Sequence, residues 1–346
     1  MRAAGKLAPQ RLQELVLPYL GRRRPEVRVR AGLGEDAAAL ECGGRTLVVS
    51  SDPITGLGPG MGRLGVFVAT NDVAAMGAEP VGLQVVLLLP LQTDDGEIRR
   101  VMEEISQACC QLGVEVLGGH TERTVKVREP VVVLTALGLV EPGRLVTSAG
   151  ARPGDQLLMT KAAALEGTAV LAWEMGERLA EAVGKAVVER ARGFLEEVSV
   201  VREGLAAAAL GVHAMHDATE GGLLGAVWEM CQASGVCAEV WEQRVPLREE
   251  TRRICQALGA DPLCLISSGT LLVAAPRGEE VARALREQGV EATVIGAVVE
   301  GVGSGAQGEA GRGGRGLARV VRVRPDGSRQ ELAEAPVDEL WRLLVS

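Results

Sequence analysis

The sequence has very few aromatic side chains: four Trp, two Phe and one Tyr among 346 residues. With so few rings, Val, Leu, Ala and Met must fill the interior. It also lacks a surplus of positive charge, having 45 acidic against 37 basic residues and a net charge of −8. Binding to nucleic acid depends on clustered Lys and Arg, so a nucleic-acid partner is not expected. The run Arg22-Arg23-Arg24 reads as a solvated turn. Long apolar runs are missing as well. Val81 to Leu91 is the size of a strand or core segment and too short to span a bilayer. Arg11, Gln13 and Glu14 interrupt the stretch before Pro18, so no signal peptide is expected. The seven Cys show no paired metal or disulfide spacing. Free buried thiols in a reducing cytosol account for them, and a cytoplasmic location is expected.

What is present is length, glycine and apolar periodicity. A chain of 346 residues that is 47% hydrophobic fits two domains. Its 45 glycines imply many tight turns and close backbone approaches. Leu12, Leu15, Val16 and Leu20 suggest a short helix, and 46–51 a strand ending at Asp52-Pro53. Helix is expected over 63–76, stopped near Gly77, and a buried strand over 83–89. The next helix has Thr93 as N-cap, acidic residues in its first turn and Gly113 at its end. Ile98, Val101, Met102, Ile105, Ala108, Cys109 and Leu112 form its apolar stripe. Strands are expected at 114–117 and 131–140.

Turn signals over 143–154 place a domain boundary there, giving domains 1–150 and 151–346. The second half reads as strand 156–160, helices across 165–210, a strand leading into Asp217, helices at 219–234 and 248–258, and strands at 269–275 and 290–299 with a helix between. Residues 301–316 are glycine-rich and read as a flexible loop, and 336–346 as a terminal helix. Mixed strands and amphipathic helices in both halves make an α/β (α+β) fold.

Four acidic positions interrupt or end apolar elements. Glu35-Asp36 lies in a Gly- and Ala-flanked turn. Two carboxylates there suit Mg²⁺, and an ordinary acidic turn is the plain alternative. Asp52 stands at a strand end, as a site residue or a turn cap. Asn71-Asp72 falls inside a helix pattern, where burial without partners is costly, so the pair either reaches a ligand or faces solvent. Asp217-Ala218-Thr219-Glu220-Gly221-Gly222 precedes a helix whose first amides can receive phosphate, or is a plain N-cap. Gly118-Gly119-His120-Thr121 reads as a glycine turn in which His120 either contacts phosphate or is structural. His213 and His216, three apart on a strand, point to opposite faces, so a zinc pair is not expected.

In this order the motifs resemble the AIR synthase superfamily, over residues 31 to about 275. Residues 234–246 and 258–263 look most like its hydrogenase-maturation HypE branch. The resemblance implies a two-domain fold whose N-terminal domain forms a homodimeric β-barrel, with ATP nearby. By the same resemblance Asp36, Asp52, Asp72 and Asp217 hold Mg²⁺ and the triphosphate. Asn71, Gly118, Gly119, His120, Thr121, Thr219, Gly221 and Gly222 line the nucleotide, and Asp36 and His120 are the catalytic candidates. The implied chemistry is ATP-driven phosphorylation of a carbonyl- or amide-type oxygen on a small-molecule or protein-borne acceptor. A kinase resembling thiamine-monophosphate kinase and a non-catalytic maturation partner are the alternatives. Departures are visible. HypE carries a C-terminal Cys, whereas the last Cys here is Cys264 and the sequence closes on Ser346. Selenophosphate synthetases use an early Cys, whereas Cys42 follows the first acidic motif. Glu35 and His120 each stand where an Asp is usual.

Overall fold

The computed structural model describes residues 5–55, 58, 60–300 and 319–345. The glycine-rich segment 301–316 lies outside them. The first half contains α1 (Pro9–Leu15), β1 (Val27–Val29), β2 (Ala38–Cys42), β3 (Arg45–Thr55), α2 (Met61–Ala75), β4 (Glu79–Leu89), α3 (Asp95–Leu112), β5 (Glu115–Arg123) and β6 (Val131–Val140). Its strands form one sheet in the order β1-β2-β3-β6-β4-β5, antiparallel except for the β4–β5 pair.

The second half contains β7 (Gln156–Thr160), α4 (Leu165–Glu174), α5 (Gly176–Val183), α6 (Lys185–Arg192), α7 (Val201–Ala209), β8 (Ala214–Asp217), α8 (Gly222–Ser234), β9 (Cys237–Trp241), α9 (Glu249–Leu258), β10 (Leu271–Ala275), α10 (Gly278–Glu287), β11 (Ala292–Val299), β12 (Val320–Val323), β13 (Arg329–Leu332) and α11 (Glu339–Val345). Its sheet runs β13-β12-β9-β11-β7-β10-β8, with β12 and β9 parallel and the other neighbours antiparallel. The α/β architecture in two halves is thus as expected. No helix among the described residues is long and apolar enough to cross a membrane.

Helix α2 carries the packing logic. Every residue in it except Arg63 is buried, as befits a helix that is apolar around most of its circumference. It lies against β3, β6 and α3 of its own half and against α7 and β8 of the other. Asn71 in its interior is fully buried. Its amide nitrogen donates to the Val198 carbonyl (2.9 Å) and its amide oxygen accepts from the Val200 N–H (2.7 Å), both in the segment entering α7. Both ends of the amide are therefore satisfied, and the two halves are joined at this point.

The structure differs from the sequence expectations in a few places. Asp94, not Thr93, caps α3, accepting the Glu97 N–H at 2.8 Å. Asp52 lies within β3, because that strand outruns β2 and continues beside β6 alone. Pro53 is tolerated at such a one-sided position. Gly118 and Gly119 do not turn the chain but continue β5 beside β4. A Cβ on Gly119 would fall 1.7 Å from the Val85 carbonyl oxygen, so the pair permits close strand approach. Strands β1, β2, β9, β12 and β13 are short, and the sequence pattern did not announce them.

Candidate functional site

Strand β8 is an edge strand whose four residues are all buried, and it ends in His216 and Asp217. The chain then turns through Thr219–Gly222 into α8. Gly222 has φ +66°, and a Cβ there would meet the Leu263 and Leu265 carbonyl oxygens at 2.7 Å. Only glycine fits this turn without strain. Asp338, just before α11, accepts the Gly221 N–H at 2.6 Å and the Leu340 N–H at 2.8 Å. Burial nevertheless pushes the Asp338 carboxyl up to about 6.

Three aspartates from distant parts of the chain meet at the end of β8. Asp36, from the loop before β2, pairs through Oδ1 with Nδ1 of His216. The Ser148 hydroxyl lies 3.3 Å from the other Asp36 oxygen. His216 Nε2 is 2.9 Å from Glu229 Oε2 on α8. Burial alone would keep this imidazole neutral, but the flanking Asp36 and Glu229 carboxylates overcome that and hold it protonated, well above its usual range. Burial also raises the Asp36 carboxyl, with His216 opposing. For Glu229 the balance reverses: burial is outweighed by His216 and Lys6, and the carboxyl stays ionised below its usual range.

Asp72, on α2, accepts a hydrogen bond from Ser50, whose hydroxyl is also 3.4 Å from Asp52. Burial, then the charges of Asp217, Asp52 and Asp36, push the Asp72 carboxyl well up. Asp217 is pushed to about 7 by burial and by Asp36, moderated by His216, Asp72 and Lys6. Its Oδ2 is buried and receives no donor from the described residues. Asp36, His216 and Asp217 each offer a ligand atom, all within 4.8 Å of one another. The Lys6 ammonium approaches from the N-terminal segment and donates to Thr219 Oγ1 at 2.9 Å, while the Lys6 N–H donates to Glu220 at 2.7 Å. Burial would lower the lysine pKa, but Glu229, Glu220, Asp72 and Asp217 together raise it.

Such a cluster is a trap for positive charge. Carboxylates whose protonation is favoured by crowding and burial, with one oxygen lacking a donor, are completed by a cation. Of the residues named from the sequence, the structure brings together Asp36, Asp72 and Asp217, with Asp52 linked through Ser50 and Thr219 through Lys6. Gly221 and Gly222 form the adjoining turn. Asn71 instead ties α2 to backbone. Gly118, Gly119, His120 and Thr121 lie exposed on β5, at the edge of the first sheet, with His120 Nε2 3.2 Å from Glu122. The expected parting of the histidines is observed, since His213 faces Asp155 at 2.9 Å. Sequence reasoning missed Lys6, Ser50, Ser148, Glu229 and Asp338, and it set His216 aside. The pattern His-Asp directly before a Thr-x-Gly-Gly turn was the one available signal.

Family models for AIR synthase related proteins match both halves: the N-terminal domain over residues 34–140 and the C-terminal domain over residues 152–309. The chain belongs to the AIR synthase-related family. Among the relatives of this AIR synthase-related chain is a carbamoyl dehydratase HypE from Azotobacter vinelandii, 30% identical, with 76% of this chain and 78% of the relative covered. A selenide, water dikinase from Dechloromonas aromatica is also 30% identical, over 73% of this chain and 71% of its own length. The crystal structure of the hydrogenase maturation protein HypE in complex with ATP superposes with a TM-score of 0.67 at 26% identity, covering 98% of each chain.

Proposed function

We propose that this AIR synthase-related chain is an ATP-dependent enzyme that phosphorylates, and so activates, a carbonyl- or amide-type oxygen of an acceptor. The observation that carries this reading is the convergence of Asp36, Asp72 and Asp217, drawn from both halves, on one buried cluster with Asp52 at its margin. An Asp217 Oδ2 without a donor among the described residues, together with the raised carboxyls, fits a bound cation. Asp36, Asp52, Asp72 and Asp217 would hold Mg²⁺. When bound, the ion neutralises triphosphate charge during phosphoryl transfer. The neighbouring turn enters α8, a 13-residue helix whose N-terminal dipole favours nearby negative charge, while the Gly221, Gly222 and Leu224 N–H groups are taken by Asp338, Thr219 and Leu263. Gly118, Gly119, His120 and Thr121 would contact the nucleotide from β5. The relatives named as an ATP-complexed HypE, a carbamoyl dehydratase and a dikinase support ATP as the phosphoryl donor.

The same reading includes a homodimer. The face of β6 turned away from α2 carries half-buried Val131, Val133, Leu137 and Leu139, and nearby Leu117 is 56% exposed. Apolar faces of this kind suit a second copy. Cys109, Cys231 and Cys255 are buried as expected, whereas Cys42 and Cys110 are exposed, and such thiols suit the cytoplasm.

Calorimetric titration with a non-hydrolysable ATP analogue, with and without Mg²⁺, tests the proposal. Metal-dependent binding of a single nucleotide per chain is expected, and Asp72→Asn is expected to abolish it while the apo protein still folds. Absence of binding at millimolar nucleotide, or unaltered metal-dependent binding in Asp72→Asn, refutes the reading. Phosphorylated acceptor as the final product would instead make it a small-molecule kinase.

A further inference from the structure

We propose that His216 is itself a metal ligand, and that the ion held by Asp36, His216 and Asp217 is a divalent first-row transition metal in preference to Mg²⁺. This inference deepens the metal-dependent reading above and rests on it.

Three observations carry it. First, ligand atoms of Asp36, His216 and Asp217 lie within 4.8 Å of one another, so one ion can reach all three. Second, Asp217 is only 1% exposed, and its Oδ2 has no donor among the described residues. A buried carboxylate oxygen of this kind needs a cation or a proton donor from elsewhere. Third, the imidazole is backed by a carboxylate. With Nε2–H donated to Glu229 at 2.9 Å, Nδ1 is the nitrogen turned toward Asp36. A histidine that ligates a metal commonly donates its second ring N–H to a carboxylate, which fixes the tautomer and makes the ligating nitrogen more basic.

The donor set then decides the ion. Mg²⁺ demands near-octahedral oxygen coordination and keeps several waters, whereas imidazole nitrogen suits the later first-row metals. A site meant for Mg²⁺ alone has no use for a buried imidazole among its ligands. One oxygen each from Asp36 and Asp217 and the His216 nitrogen make a mixed nitrogen and oxygen set, with Glu229 backing the ring. To bind the ion, the Asp36 carboxylate and the imidazole would part so that the Asp36 oxygen and Nδ1 both become ligands, and the Nδ1 proton would leave to solvent. Ser148 keeps its contact with the other Asp36 oxygen.

The alternative is that His216 serves as a cationic spacer between Asp36 and Glu229 and never touches a metal. Mn²⁺ added to the full-length protein separates the two. Electron spin-echo spectra of the Mn²⁺-loaded protein are expected to show a directly coordinated nitrogen, with a signature that changes when the protein is grown on ¹⁵N-histidine. His216→Asn is expected to remove that coupling, which assigns it among the three histidines of the chain. In titrations Co²⁺, a later first-row ion, is expected to bind about tenfold or more tightly than Mg²⁺. Glu229→Gln is expected to weaken Mn²⁺ about 10–100-fold through loss of the ligand's support. The isotope comparison uses the unaltered chain, so it stands even where a variant fails to fold. Bound Mn²⁺ with no nitrogen coupling overturns the inference and leaves the proposed function intact. Failure of both Mn²⁺ and Mg²⁺ to bind, with and without nucleotide analogue, overturns both.

Discussion

Replacing Asp217 with Asn is expected to make the metal-free protein more stable at neutral pH, although Asp217 lies at the centre of the site. The reasoning follows from its carboxyl, held at about 7 instead of 3.8 in the fold. Because the folded state binds that proton more tightly than the unfolded chain, native stability falls as pH rises from about 4 to about 7 and is level above. The ionised form carries a penalty on the order of 4 kcal/mol at pH 8, and less than about 1 kcal/mol remains at pH 4. Asn keeps the shape, does not ionise, and its amide can donate to the adjacent Asp72. Urea unfolding in the presence of a chelator is therefore expected to show the variant and the wild type nearly equal at pH 4. At pH 8 the variant is expected to lead by about 2–4 kcal/mol, the lower figure allowing for proton sharing with Asp72. Divalent metal with nucleotide is expected to reverse the order by stabilising only the wild type. If the variant is the less stable protein at pH 8 without metal, Asp217 is held by partners within the fold, and the cation trap is refuted.

Two further outcomes probe the edges of the site. Gly222→Ala, placed at φ +66° against two carbonyl oxygens, is expected to cost at least about 1–3 kcal/mol, read as a lowered Tm. An unchanged melt would show that the turn can relax. Lys6→Met removes an ammonium that competes for the same carboxylates and is expected to tighten divalent-ion binding on the order of fivefold, the equivalent of about 1 kcal/mol of aqueous Coulomb energy. Calorimetry with Mn²⁺ measures it, and weaker binding would show that Lys6 assists the ion.

Elements with a strong local signature were legible in the sequence. The stripe from Ile98 to Leu112, with acidic residues at one end and Gly113 at the other, specifies α3 to within two residues. The apolar run at 131–140 gives β6 with the expected bounds. Glycine was the less faithful guide. The pair at 118–119 looks like a turn, but what excludes a side chain there is the neighbouring strand's carbonyl, which leaves no mark on the local pattern. The cost of burying Asn71 correctly demanded partners, yet those partners are backbone groups from another element, invisible without the fold. The aspartates were each visible as an interruption of apolar sequence. Their meeting was not, because the contact of Asp36 with His216 is set by packing between the halves. Glu229 fell within a helix pattern, where an acidic residue ordinarily signals only a solvated face. Ser50 and Ser148 carry no chemical label until a carboxylate stands beside them.

The placement of Asn71 has an evolutionary consequence. One turn of α2 carries both the amide stitched to Val198 and Val200 and the carboxylate that meets Asp217. Any drift in how the halves dock is therefore felt at once in the spacing of the acidic groups. The two halves cannot accumulate substitutions as independent lineages would. A change in the ionic preference of the cluster, such as an imidazole appearing on β8, has to be tolerated by the loop that carries Asp36. Inheritance of the site thus belongs to the junction, and neither half carries it by itself.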